Sequence, residues 1–180
     1  MALSVVYLIS IVSLVFIVHL GDAERPIADL CKYTRSFDLC TQILNADPSS
    51  KYTNTAGRAE ITINAAKSIV VDTSRYILDE LVKTFTEANA IRVVTECSTL
   101  YDNAKAQLEA AIEVLYAYGA EEEPQDGIDR AASCLDSCKN SFSNATPPLA
   151  YPDALAQRQK SFQDICGVAD DIVEQFELGD

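Results

Sequence analysis

Apolar residues return every third or fourth position through four long stretches of this chain. A chain so patterned buries its hydrophobic surface by packing helix against helix. The first stretch runs from about residue 56 to 86, with Ile63, Ala66, Val70, Ile77, Leu81 and Phe85 on one stripe. After a break near Glu87-Ala88-Asn89, the second carries Val94, Cys97, Tyr101, Ala104, Leu108, Ala111 and Leu115. A charged turn at 119–127 follows, in which Pro124 and Asp126 suit a helix start. The third stripe is Ile128, Ala131, Leu135, Cys138 and Phe142. Residues 144–152 hold Pro147, Pro148 and Pro152 and read as a loop. Asp153 then suits the cap of a fourth helix, whose stripe is Leu155, Phe162, Ile165, Ala169, Ile172 and Phe176. No segment alternates with period two for long enough to suggest a sheet. Six Gly and six Pro in 180 residues are too few turn formers for a many-stranded protein. The expected fold is all-α: an up-and-down four-helix bundle over 55–178, preceded by a short helical hairpin over 24–50.

Met1 to Leu20 contains no Lys, Arg, Asp or Glu, and Gly21-Asp22-Ala23 ends the apolar run in a small residue. This reads as a signal peptide over 1–23, leaving 24–180 as one secreted domain. The competing reading is a signal anchor, because about 20 apolar residues can span a bilayer. No Lys/Arg cluster flanks the run, so secretion is favoured, with no membrane contact after cleavage.

Asp22 is the only charged side chain before residue 24, so the processed chain keeps 26 acidic against 14 basic residues, a net charge of −12. Such a surface repels nucleic acid and favours basic partners. The sole histidine, His19, lies in the segment to be removed. Without imidazole, Ser-His-Asp and Cys-His catalysis and histidine-ligated metal sites are excluded. The sequence thus points to no enzyme, no cofactor and no metal.

All six cysteines follow the leader: Cys31, Cys40, Cys97, Cys134, Cys138 and Cys166. Secretion makes disulfides their first reading, and no paired C-x2-C clip suggests zinc. Cys31 and Cys40 are close enough in sequence to pin a small hairpin. Cys97 is far from the turn near residue 121 and so favours the later of the two cysteines on the third helix, Cys138. Cys134 and Cys166 lie at similar distances from the turn near residue 148. A third disulfide between them and buried free thiols are both open readings.

Several segments now point to a family. Ile27-Ala28-Asp29-Leu30-Cys31-Lys32-Tyr33-Thr34 followed by Cys40 resembles the N-terminal signature of the plant invertase/pectin methylesterase inhibitors. Leu44-x2-Asp47-Pro48 looks like its continuation. Cys97-Ser98-Thr99-Leu100-Tyr101-Asp102-Asn103-Ala104 is similar to the family's C-x3-Y-x2-A segment, and Cys138-Lys139-Asn140-Ser141-Phe142 to its C-x-[DN]-x-F segment. The resemblance implies disulfides Cys31–Cys40 and Cys97–Cys138. It also implies an inhibitor that binds a pectin methylesterase or an acid invertase in the apoplast, cell wall or vacuole; a monomer is expected. Breadth of family membership, not any residue, inclines the target towards pectin methylesterase. Two departures stand out. Arg130-Ala131-Ala132-Ser133-Cys134-Leu135-Asp136-Ser137 replaces a small-residue tract of the pectin methylesterase inhibitors. Glu121-Glu122-Glu123-Pro124-Gln125 replaces the P-K-F motif of some invertase inhibitors. These departures motivate the alternative of a non-inhibitory secreted helical protein with a binding or signalling role.

Smaller features complete the reading. Asn144-Ala145-Thr146 is a glycosylation sequon in a loop. Glu121 to Glu123 either meet a basic rim on a partner or form a solvated turn. Tyr116 and Tyr118 either contact a partner or pack at a helix end. Asp170 and Asp171 should diverge on their helix and form no acid/base pair.

Overall fold

The computed structural model describes residues 25–117 and 123–177. The expected leader at 1–23 with His19, and Tyr118, Glu121 and Glu122, lie outside them. The described chain is helical with no strand: α1 (Ile27–Cys31), α2 (Phe37–Ala46), α3 (Thr55–Asp79), α4 (Ala88–Leu115), α5 (Pro124–Ser143) and α6 (Asp153–Glu177), with 3-10 turns at Pro48–Lys51 and Leu81–Thr84.

Local chemistry sets the helix starts. The Ser36 and Asn54 side chains accept from the backbone N–H of Leu39 and Gly57, each filling a donor the first turn leaves open. At α5, Glu123 and Asp126 form a reciprocal capping box around Pro124. Asp153 does not stand outside α6 as a cap. It is the first helical residue, and the Pro152 carbonyl accepts from Leu155 and Ala156. Its charge still suits the positive helix end.

The first stripe also departs from expectation. α3 stops at Asp79, because Glu80 leaves helical dihedrals (φ −124°, ψ −59°). Val82, Thr84 and Thr86 are β-branched and hold a helix poorly. The 3-10 turn nevertheless returns Leu81 to the core, and Phe85 packs against it half-buried. On α6, Leu155, Phe162, Ala169 and Ile172 are buried, whereas Ile165 is only half-buried and Phe176 is exposed.

The four long helices form a ring in chain order. α4 packs closely on α3 and α5, and α3 closes the ring against α6. The α5–α6 seam is far sparser. The centre is filled by Tyr101, Phe142, Phe162, Ile63, Leu108 and Leu135, all fully buried. The Cys97–Cys138 disulfide crosses from α4 to α5 inside this core, with a Cα–Cα separation of 4.8 Å. It lies one turn from both Tyr101 and Phe142.

Cys31–Cys40 (Cα–Cα 5.5 Å) ties α1 to α2, and this hairpin buries Leu30 and Leu44 against α3 and α6. Burying each such side chain stabilises by about 1.5–3 kcal/mol. Polar ties complete the docking. Arg35 Nη2 meets Asp171 Oδ1 at 2.8 Å, and the Arg35 backbone N–H donates to the same carboxylate. Buried Arg58 donates to the carbonyls of Ser50 and Arg25.

Candidate functional site

The antiparallel order gathers the start of α3, the end of α4, the start of α5 and the end of α6 at one pole of the bundle. Two hydrogen bonds confirm the grouping. Tyr116, just past α4, donates its hydroxyl to Glu60 on α3, and Gln125 Nε2 donates to Glu177 Oε2 at 3.2 Å. This pole is acidic. Glu113, Glu123, Asp126, Glu174 and Glu177 are exposed there, and Glu60 is half-buried. Tyr116 is 58% exposed, so its ring is not the packed helix-end residue of the competing reading. Burial of its hydroxyl, and then the Glu60 carboxylate, push its pKa up to about 12. The phenol stays a neutral donor at any physiological pH.

The opposite pole holds Asn144, exposed at the C-cap of α5. Asn89 Nδ2 donates to the Thr146 carbonyl at 3.0 Å and anchors the loop, in which Thr146–Pro147 is cis. The sequon asparagine is therefore accessible and remote from the acidic pole.

Of the two readings for Cys134 and Cys166, the structure has free thiols, Cys134 half-exposed and Cys166 buried. Matching heights about the loop near residue 148 gave the third-disulfide expectation, but direction round the helix decides against it. Gln125 and Asp136 reach α6 residues, so they mark the face of α5 turned to α6. Cys134 is nine residues from Gln125, about half a turn round the helix. It shares its face with Cys138, which turns to α4. Burial raises the pKa of both thiols, and no described residue offers an activating base.

Asp170 and Asp171 diverge as expected. Asp171 pairs with Arg35, while Asp170 turns into the α5–α6 seam. Sequence reasoning missed that seam position, although reflecting Asp170 about residue 148 lands within a turn of Asp129. Among the described residues, no group of His, Cys, Asp and Glu is placed to hold a metal ion, and no helix is long and apolar enough to cross a membrane.

The architecture is thus a disulfide-tied helical hairpin docked on a four-helix ring with an acidic pole. Residues 25–172 match the family described as plant invertase/pectin methylesterase inhibitor, and the chain belongs to that family. Cell wall / vacuolar inhibitor of fructosidase 2 of Arabidopsis thaliana is 28% identical over 154 residues, 83% of this chain and 82% of that protein. Cell wall / vacuolar inhibitor of fructosidase 1 of the same species is 31% identical over 139 residues, 77% of this chain but only 62% of that protein. Among solved structures, a pectin methylesterase inhibitor from Arabidopsis thaliana covers 82% of this chain and 93% of its own, with a TM-score of 0.55. A mutant form of such an inhibitor from Arabidopsis reaches 0.61, covering 82% of this chain and 95% of its own. Both are 19% identical, a likeness that carries the fold alone.

Proposed function

We propose that the processed chain is a secreted inhibitor that binds an acid invertase of the cell wall or vacuole and blocks access to its substrate cleft. The family match over residues 25–172, with relatives named as fructosidase inhibitors, carries this reading. The choice of invertase departs from the inclination towards pectin methylesterase that breadth of membership gave. The fructosidase inhibitors resemble this chain in sequence, at 28% and 31% identity, whereas the pectin methylesterase inhibitors resemble it in fold at 19%.

The chemistry of the acidic pole suits this work. Blocking a cleft requires a rigid surface of roughly 800 Å² on each partner. The pole is built on helix ends held by a capping box and by the Tyr116–Glu60 and Gln125–Glu177 hydrogen bonds, so little ordering entropy is lost on docking. Exposed Tyr116 supplies an aromatic anchor, and the surrounding carboxylates favour a basic rim on the partner. Glu123-Pro124-Gln125 stands where some invertase inhibitors carry P-K-F, so contact here relies on carboxylates rather than on a lysine and a phenylalanine.

Titrating the processed protein against a purified acid invertase and a pectin methylesterase, at pH 5 and pH 7, tests the proposal. Inhibition of the invertase below micromolar concentration is expected, and replacing Tyr116 by Ala should weaken it about tenfold or more. Silence of both enzymes at micromolar inhibitor would leave the non-inhibitory binding role in its place.

A further inference from the structure

Two hydrogen bonds set the register of the α5–α6 seam. Gln125 Nε2 donates to Glu177 Oε2 (3.2 Å) near one end, and Gln159 Nε2 donates to Asp136 Oδ1 (2.7 Å) near the other. Residues 125, 129 and 136 share one face of α5, and residues 159, 166, 170 and 177 share one face of α6. The antiparallel register therefore brings Asp129 level with Asp170 between the two bonded crossings. At this level the seam has two carboxylates where its neighbours have a donor and an acceptor.

The surroundings of Asp170 make that mismatch consequential. Its Oδ1 is closed to solvent and has no hydrogen-bond partner, while Asp129 sits exposed at the rim. Asp171 and the buried Cys166 thiol face it from its own helix, and Arg35 faces it from the α1–α2 connection. Arg35 already makes a bidentate pair with Asp171 and leaves Asp170 only a distant attraction. Burial first, and then the Asp129 charge, push Asp170 up to about 6. The seam itself is the sparsest contact between neighbouring long helices, so it has the least packing to resist repulsion.

We propose that the Asp129–Asp170 crossing makes the α5–α6 seam a proton-sensitive latch, closed in acidic surroundings and loosened near neutrality. The folded carboxyl holds its proton where the unfolded one, titrating near an ordinary value of about 4, has lost it. Asp170 thus costs no stability below about pH 4. The cost grows as pH rises from about 4 to about 6 and is fully present above that. The latch rests on the fold alone and on no identity of the target.

Carboxyl-carbon NMR of the processed protein tests the proton. Asp170 should titrate near 6, and Asp129→Asn should bring its midpoint down. Amide hydrogen exchange of wild type and Asp170→Asn, compared at the same pH, tests the seam. At pH 7 the α5 and α6 amides flanking the crossing should exchange about tenfold slower in the variant, and below about pH 4 the two proteins should agree. If Asp170→Asn does not fold, the exposed Asp129→Asn serves the same comparison. A midpoint in the ordinary carboxylate range, or equal exchange at pH 7, would overturn the latch. Neither readout involves an enzyme, so a failure to inhibit invertase leaves this result independent.

Discussion

Cys134 and Cys138 stand one helical turn apart on the same side of α5, yet one is a half-exposed thiol and the other a buried half-disulfide. The difference is reach. Cys138 meets Cys97 across the tightest helix pair, whereas Cys134 lies at the flank with no sulfur opposite. Cys166 is buried on the far seam, and its thiol is pushed up by burial and by the charges of Asp170 and Asp129. Alkylating the native protein should therefore modify Cys134 alone, and Cys166 should react only after unfolding. Mass spectrometry of the tryptic peptides reads this directly, and a native protein with both sites blocked would restore the third disulfide.

The α4–α5 pair is the tightest element of the ring, and Gly127 shows why. A Cβ there would sit 2.8 Å from both the Ala111 Cβ and the Gln107 carbonyl oxygen, a backbone group that cannot swing aside. Gly127→Ala should lower stability by about 1–3 kcal/mol despite the better helix propensity of alanine, measured as a fall in the urea midpoint. Much at this scale was legible in the sequence. The stripes of α4 and α5 are buried residue for residue, because a three-four period has one geometric solution in a helix. Helix ends were less legible, since the stripe through Leu81 and Phe85 continues across a change from α to 3-10 turns. The pole at Tyr116 was noticed as a tyrosine, but its neighbour Glu60 lies far away in sequence and only the antiparallel return brings them together. The Asp129–Asp170 crossing was hidden for a related reason: height alone cannot say which way a side chain points.

At the scale of the whole molecule, charge is the dominant asymmetry. Residues 24–180 carry a net −12, and several described surface cations sit in short-range pairs such as Lys105–Glu109 and Lys160–Asp164. Such exposed pairs add little stability, about 0–1 kcal/mol each. The unmatched carboxylates act at longer range instead and, in the proposed docking, draw a basic partner towards the acidic pole. Association with the target should slow about tenfold or more between low salt and 0.5 M NaCl, while dissociation changes little, as stopped-flow binding would show. An association rate indifferent to salt would mean that docking is led by Tyr116 and shape.

Arg25 also hydrogen-bonds to Gln175, which brings the first described residues beside the last turn of α6. A fluorescent reporter or affinity handle joined beside Arg25 or Glu177 would crowd the acidic pole, the face proposed above to meet the enzyme. The Ser143–Asp153 connection, at the remote pole, is the better anchorage for attaching the protein to a surface with its acidic pole outward.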